Sequence, residues 1–195
     1  MKMKLNRLAF AFLVCASLIF AQAQSLPRIN RDEDALPREL ISEGLGVGRI
    51  YVGHSTADDV ASVYGKTFET IEHGNYSYEL RYASLGLSFW YCREDKQKHI
   101  FDINAVAPFV GFTARGIVLG KSTLGDVIKA YGQDNPTTTT SAGESWVFAY
   151  PGIKFTIPHE TTENKPVSSF YGVKITAIDV VTSRSGSDCL PSNIK

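Results

Sequence analysis

One short pattern, written twice, limits this chain more than anything else in it. Residues Ile50-Tyr51-Val52-Gly53-His54-Ser55-Thr56 recur as Ile117-Val118-Leu119-Gly120-Lys121-Ser122-Thr123, at an offset of 67. The match runs on through Asp59-Val60 over Asp126-Val127 and Tyr64-Gly65 over Tyr131-Gly132, so that I-x-[VL]-G-x-S-T-x-x-D-V-x-x-[VA]-Y-G occurs twice. Further along, Gly86-Leu87-Ser88-Phe89 answers Gly152-Ile153-Lys154-Phe155, and Ile100-Phe101-Asp102-Ile103 answers Ile175-Thr176-Ala177-Ile178. A fixed period of this kind signals one supersecondary unit copied and packed against its twin. The expected organisation is a tandem duplication, with unit 1 over 45–107 and unit 2 over 108–182.

The copied segment contains Gly120-Lys121-Ser122-Thr123, which resembles the end of a phosphate-binding loop. Such a loop needs four residues between its first glycine and the Gly-Lys pair, so that successive amides wrap the phosphates. Arg115 stands where that first glycine would be, and the sister copy has His54 in place of Lys121. A helix start explains more of the letters. Thr56 with Asp59, and Thr123 with Asp126, have the spacing of a capping box, the carboxylate also lying well against the positive end of the helix dipole. Val60, Val63 and Tyr64, like Val127, Ala130 and Tyr131, then fall on one helical face, and Gly65 and Gly132 stop each helix.

Alternation takes over after each helix. Segments 76–82, 87–92 and 99–106 in the first copy, and 145–150, 153–158 and 172–181 in the second, read as antiparallel strands joined by glycine turns or polar loops. Leu87, Phe89 and Tyr91 point to one side of their strand while Ser88, Trp90 and Cys92 point to the other. The fold class expected is therefore α+β, each unit a short capped helix on an antiparallel sheet of three to four strands. A further helix is expected near 37–42, and Gly44, Gly46 and Gly48 read as a flexible linker.

The glycine turn, the hydroxyl residue, the Asp-Val pair and the closing Tyr-Gly, followed by strands, resemble the repeat of the SmpA/OmlA (BamE-type) family of bacterial envelope proteins. They are also similar to the tandem units of beta-lactamase inhibitory proteins. The resemblance covers most of 45–182 and implies a helix-on-sheet module that binds other proteins without catalysis. This chain departs from the first family in lacking a lipobox, and from the second in having one cysteine pair instead of one per repeat.

The N-terminus sets the compartment. Lys2, Lys4 and Arg7 precede an uncharged run over 8–21, and Ala21-Gln22-Ala23 supplies small residues where a signal peptidase reads. A secretory signal peptide over 1–23 is predicted, the run being too short to span a bilayer. A polar lead-in over 24–44 and a tail over 183–195 complete the division. Val14 rules against a lipid anchor at Cys15, so neither span nor anchor is expected, and the protein should be periplasmic or extracellular. Removing the signal takes three of the 20 basic residues and none of the 20 acidic ones, leaving a net charge of minus 3. That balance argues against nucleic-acid binding, which needs a basic surface. In an oxidising compartment the remaining pair, Cys92 and Cys189, is expected to form a disulfide clamping the two units.

Residues suited to chemistry are sparse. His54, His73, His99 and His159 show no metal-ligand spacing, Asp58 and Asp59 are adjacent and so do not face each other on a helix, and no serine lies in a G-x-S-x-G elbow. No cofactor, metal or catalytic residue is expected. The residues best suited to a surface contact are aromatic and basic, Trp90, Tyr78, Tyr82, Trp146 and Arg81, a composition found in protein-binding hot spots; the competing reading is that the aromatics fill the core between the repeats, since large aromatic side chains are usually mostly buried. The expected function is an exported, non-catalytic protein-binding or envelope-assembly module whose partner is another protein. The alternative is a small-molecule-binding protein or hydrolase with a site in the groove between the repeats, drawing on residues such as His54, Lys121 and Asp126. A deep polar cleft at the junction would favour the alternative, and a flat aromatic sheet face the first reading.

Overall fold

The computed structural model describes residues 38–133, 137–138, 145–158, 166–182 and 189. The predicted signal peptide, the lead-in before Arg38, His159 and the tail apart from Cys189 lie outside them. In chain order the elements are β1 (Glu39–Ser42), β2 (Gly46–Val47), β3 (Ile50–Tyr51), α1 (Ala57–Tyr64), β4 (Glu69–His73), β5 (Ser77–Tyr82), β6 (Leu87–Cys92), β7 (Ile100–Val106) and β8 (Gly111–Thr113). Then follow α2 (Leu124–Tyr131), β9 (Thr137–Thr138), β10 (Ser145–Tyr150), β11 (Ile153–Pro158), a 3-10 turn (Val167–Phe170) and β12 (Ala177–Val181). The class is α+β.

Both helices begin as their sequences dictate. Thr56 Oγ1 accepts from the Asp59 amide at 3.3 Å while Asp59 Oδ2 accepts from the Thr56 amide at 2.8 Å, and Thr123 with Asp126 repeats both distances. Each box satisfies two amides that a helix start leaves unpaired. The glycine turn ahead of each helix is likewise occupied: the Gly120 amide donates to Ile175 O, those of Lys121 and Ser122 to Val118 O, and Ser122 Oγ accepts from Val118 N. Those amides hold the turn together and are not presented to a phosphate. After each helix a tyrosine hydroxyl donates to the capping glycine, Tyr82 to Gly65 O and Tyr150 to Gly132 O, both at 2.8 Å.

Instead of one sheet per unit, the strands form a continuous antiparallel sheet in the order β4-β5-β6-β7-β12-β11-β10-β9, joined in the middle where β7 pairs with β12. The edge of β7 would otherwise leave a row of unpaired backbone groups, and β12 satisfies them. Leu80, Tyr82, Leu87, Phe89, Ile103, Ala105, Phe148, Phe155, Ile178 and Val180 line one face of this sheet and are buried against Val60, Leu124 and Val127 of the helices.

A second, four-stranded sheet, ordered β3-β2-β1-β8, completes the core with Ile41, Val47 and Ile50. It corrects two expectations. Residues 39–42 are a strand, not a helix, because β1 runs parallel to β8 and buries Ile41 while leaving Leu40 exposed. Gly44, Gly46 and Gly48 are not a linker: they shape the tight turns of β1-β2-β3, and a side chain at Gly46 would collide with Ile50 O. The lead-in therefore ends before β1, which binds both helices: Glu39 accepts from Tyr64 Oη at 2.7 Å and Glu43, just beyond the strand, from Tyr131 Oη at 2.6 Å. Strands β4, β8 and β9 went unpredicted, and β12 begins later than the sequence suggests.

Candidate functional site

The helix-covered face of the large sheet is apolar; its other face is not. Because side chains alternate, the residues between the core positions share the opposite face. Glu79 on β5 lies across from Trp90 on β6, and Trp90 across from Asp102 on β7. One row along, Arg81, Ser88, Asn104, Asp179 and Lys154 face one another across β5, β6, β7, β12 and β11. A register shift after Trp90 sets Tyr91 opposite Ile100 and brings both Phe101 and Asp102 to the same concavity. His73 of β4, strands β5, β6 and β7, and Asp179 of β12 line a groove of about 700 Å³ that crosses the β7–β12 junction.

Glu79 anchors its floor. The residue is 2% exposed and accepts from Arg81 Nε at 2.8 Å, Arg81 Nη2 at 3.0 Å and Ser88 Oγ at 2.7 Å, with His73 Nε2 at 2.8 Å. Burial alone would raise its pKa, but the bonds from Arg81, Ser88 and His73 outweigh that and hold the carboxyl below the usual range. The His73 ring in turn packs on Trp90, centroids 4.1 Å apart. These contacts fix the indole at the groove wall.

Asp102 and Asp179 are the opposite case. Burial, and then the neighbouring Asp179 charge, push the Asp102 carboxyl up to about 7 despite a nearby Lys154. Burial likewise raises Asp179, offset in part by the bond it accepts from Asn104 Nδ2 at 2.8 Å and by Lys154. Asp102 Oδ1 is buried and has no hydrogen-bond partner. The groove thus holds one fully bonded carboxylate and one carboxyl lacking a donor, on either side of an indole.

The five candidate contact residues, for which a core role was the other reading, are divided between the two faces. Trp90 and Arg81 line the groove. Tyr82 is 2% exposed and belongs to the core. Tyr78 stacks on Tyr91 at 5.4 Å and lies under the Arg93 guanidinium, and Trp146, two residues from the buried Phe148, packs on Phe170 at 4.4 Å. His54, Lys121 and Asp126 are exposed and do not line the groove. Cys92 and Cys189 are joined in a disulfide, Cα atoms 5.2 Å apart. Among the described residues no group of three or more His, Cys, Asp or Glu is placed to hold a metal ion, and no helix is long and apolar enough to cross a membrane. The groove acids Glu79, Asp102 and Asp179 were missed, although Asp179 interrupts an otherwise apolar strand, Ile178-Asp179-Val180.

No family model and no curated protein matches the chain. Among solved structures it is similar to the uncharacterized protein YfeY from Escherichia coli, at 12% identity and a TM-score of 0.51, over 72% of this chain and 98% of that one. A DUF4309 family protein, YjgB, from Bacillus subtilis aligns at 15% identity over 69% and 83% of the two chains, with a TM-score of 0.42. A cysteine-rich secretory protein from Staphylococcus aureus aligns at 10% over 68% and 43%, with a TM-score of 0.37. The first shows a shared fold and nothing more.

Proposed function

We propose that this protein is an exported, non-catalytic binding module, built by tandem duplication, whose ligand docks in the groove on the open face of the large sheet. The observation that carries the reading is a difference between the halves. Glu79, Arg81, Ser88, Trp90 and Asp102 occupy positions that, counted from Tyr82 and Tyr150 and from the matched strands, hold Val147, Ala149, Lys154, Thr156 and Ala177 in the second half. Scaffold contacts recur in both halves; the polar cluster does not. A buried, fully bonded Glu79 beneath a positioned indole is an arrangement that a core does not need and a binding surface does.

Duplication is supported by the paired capping boxes, by the paired tyrosine-to-glycine bonds and by the palindromic strand order, in which Asn104 and Asp179 bond across the centre. The same features are what the proposed kinship with SmpA/OmlA-type and beta-lactamase inhibitory proteins rests on. A protein partner agrees with that kinship. The hydrolase or small-molecule alternative draws on the cleft's polarity and on the raised Asp102, which has the character of a proton donor.

The test compares Trp90→Ala with Trp146→Phe in capture experiments from the native envelope fraction, with folding checked by circular dichroism. The groove reading expects Trp90→Ala to stay folded and lose its ligand while Trp146→Phe keeps it. Equal loss in both, or unfolding of Trp90→Ala, would sink it.

A further inference from the structure

The groove's own chemistry narrows its ligand, provided that the groove is the binding site as proposed above. We infer that it receives a planar cation, an amidinium or guanidinium group, seated against the Trp90 ring with its N–H groups directed to Asp102. Glu79 is not the acceptor, since Arg81, Ser88 and His73 already occupy it. Asp179 is engaged by Asn104. Asp102 is left, half-buried at the groove wall across from Trp90, with one oxygen lacking any donor and a second carboxylate close enough to act on it.

An unsatisfied buried carboxyl is costly, and two neighbouring carboxylates raise that cost. An anion would deepen the repulsion. A neutral donor would supply the missing bond but leave the charge in place. A planar cation supplies the bond and the countercharge together, in a fork that matches a carboxylate, and stacks on an aromatic ring as well. Lys154, one strand beyond Asp179, already offsets part of the negative charge, so the site calls for a single positive charge and not several. A volume of about 700 Å³ accommodates such a group with an apolar frame attached. The cation can be free or carried on an arginine side chain of a partner; its chemistry is the same.

Titrating the full chain, expressed for export, while following the Trp90 indole N–H by NMR tests this. The probes are benzamidinium, its neutral counterpart benzamide, benzoate, and the peptide acetyl-Gly-Arg-Gly-amide. Benzamidinium and the peptide are expected to shift the Trp90 signal, benzamide more weakly and benzoate not at all; the tighter of the first two tells a free cation from a side chain. Asp102→Asn is expected to weaken benzamidinium by about ten- to a hundredfold. Asp179→Asn, which removes a like charge beside the acceptor, should weaken it less. Equal or stronger shifts from benzamide or benzoate would overturn the cation assignment while leaving the groove reading intact. A folded protein whose Trp90 signal responds to none of the four would overturn the cation assignment, the groove reading itself being decided by the Trp90→Ala capture experiment.

Discussion

Asp102 alternates with the core residues Ile103 and Ala105 and so faces the open side of the sheet beside Asp179, with Lys154 nearby and Glu79, Arg81 and His73 beyond the Trp90 ring. Its folded pKa of about 7 lies above the value of an unfolded aspartate, roughly 4. The folded state therefore keeps a proton that the unfolded state releases. The sign follows: this group's contribution is most favourable below pH about 4, and is lost as pH rises through about 7. Asp102→Asn removes the penalty. The variant is expected to be more stable than the native protein at pH 8, with the gap closing toward pH 4, as read from urea midpoints at several pH values. A constant difference across that range would mean that Asp102 is not held protonated by its surroundings.

Elements show where local sequence suffices. The two capping boxes have the same distances in the structure and the same letters in the sequence, so Thr56→Ala and Thr123→Ala should each cost about 1 kcal/mol. Chemical denaturation of the two single variants checks this, and a loss confined to one would show that the other helix is held by packing alone. Strands β5, β6, β10 and β11 were equally legible, because alternation and glycine turns are local signals. Strand β1 was not. Its four residues carry no decisive period, and what makes them a strand is a parallel partner, Gly111–Thr113, about seventy residues away. Strand β4 has the same difficulty: Glu69–His73 is an edge strand with no buried residue to give it an alternating face.

At the scale of the whole molecule the halves are joined by the β7–β12 ladder, by the four-stranded sheet in which β1 pairs with β8, and by the Cys92–Cys189 bridge. The bridge spans 97 residues of sequence. Closing a loop of about 100 residues restricts the unfolded chain, a stabilisation of about 4 to 5 kcal/mol in the chain-entropy model. The double variant Cys92→Ser/Cys189→Ser is expected to keep its circular dichroism spectrum and unfold in one transition at a lower urea concentration. Two separate transitions would mean that the bridge, and not the shared sheet, holds the halves together.

Capping residues, turn glycines and strand alternation could be read directly, because each depends on neighbours a few residues apart, and the pairing of Cys92 with Cys189 was anticipated from the expected compartment. Which face of a strand a residue joins was also readable, as Trp90 shows against Phe89. The merging of two sheets into one was not, since it depends on which edge satisfies β7. Nor was the separation of Trp90 from Trp146 onto opposite faces, or the meeting of Glu79, Asp102 and Asp179 in one groove. Those depend on register across strands up to about a hundred residues apart, and only the folded chain sets that register.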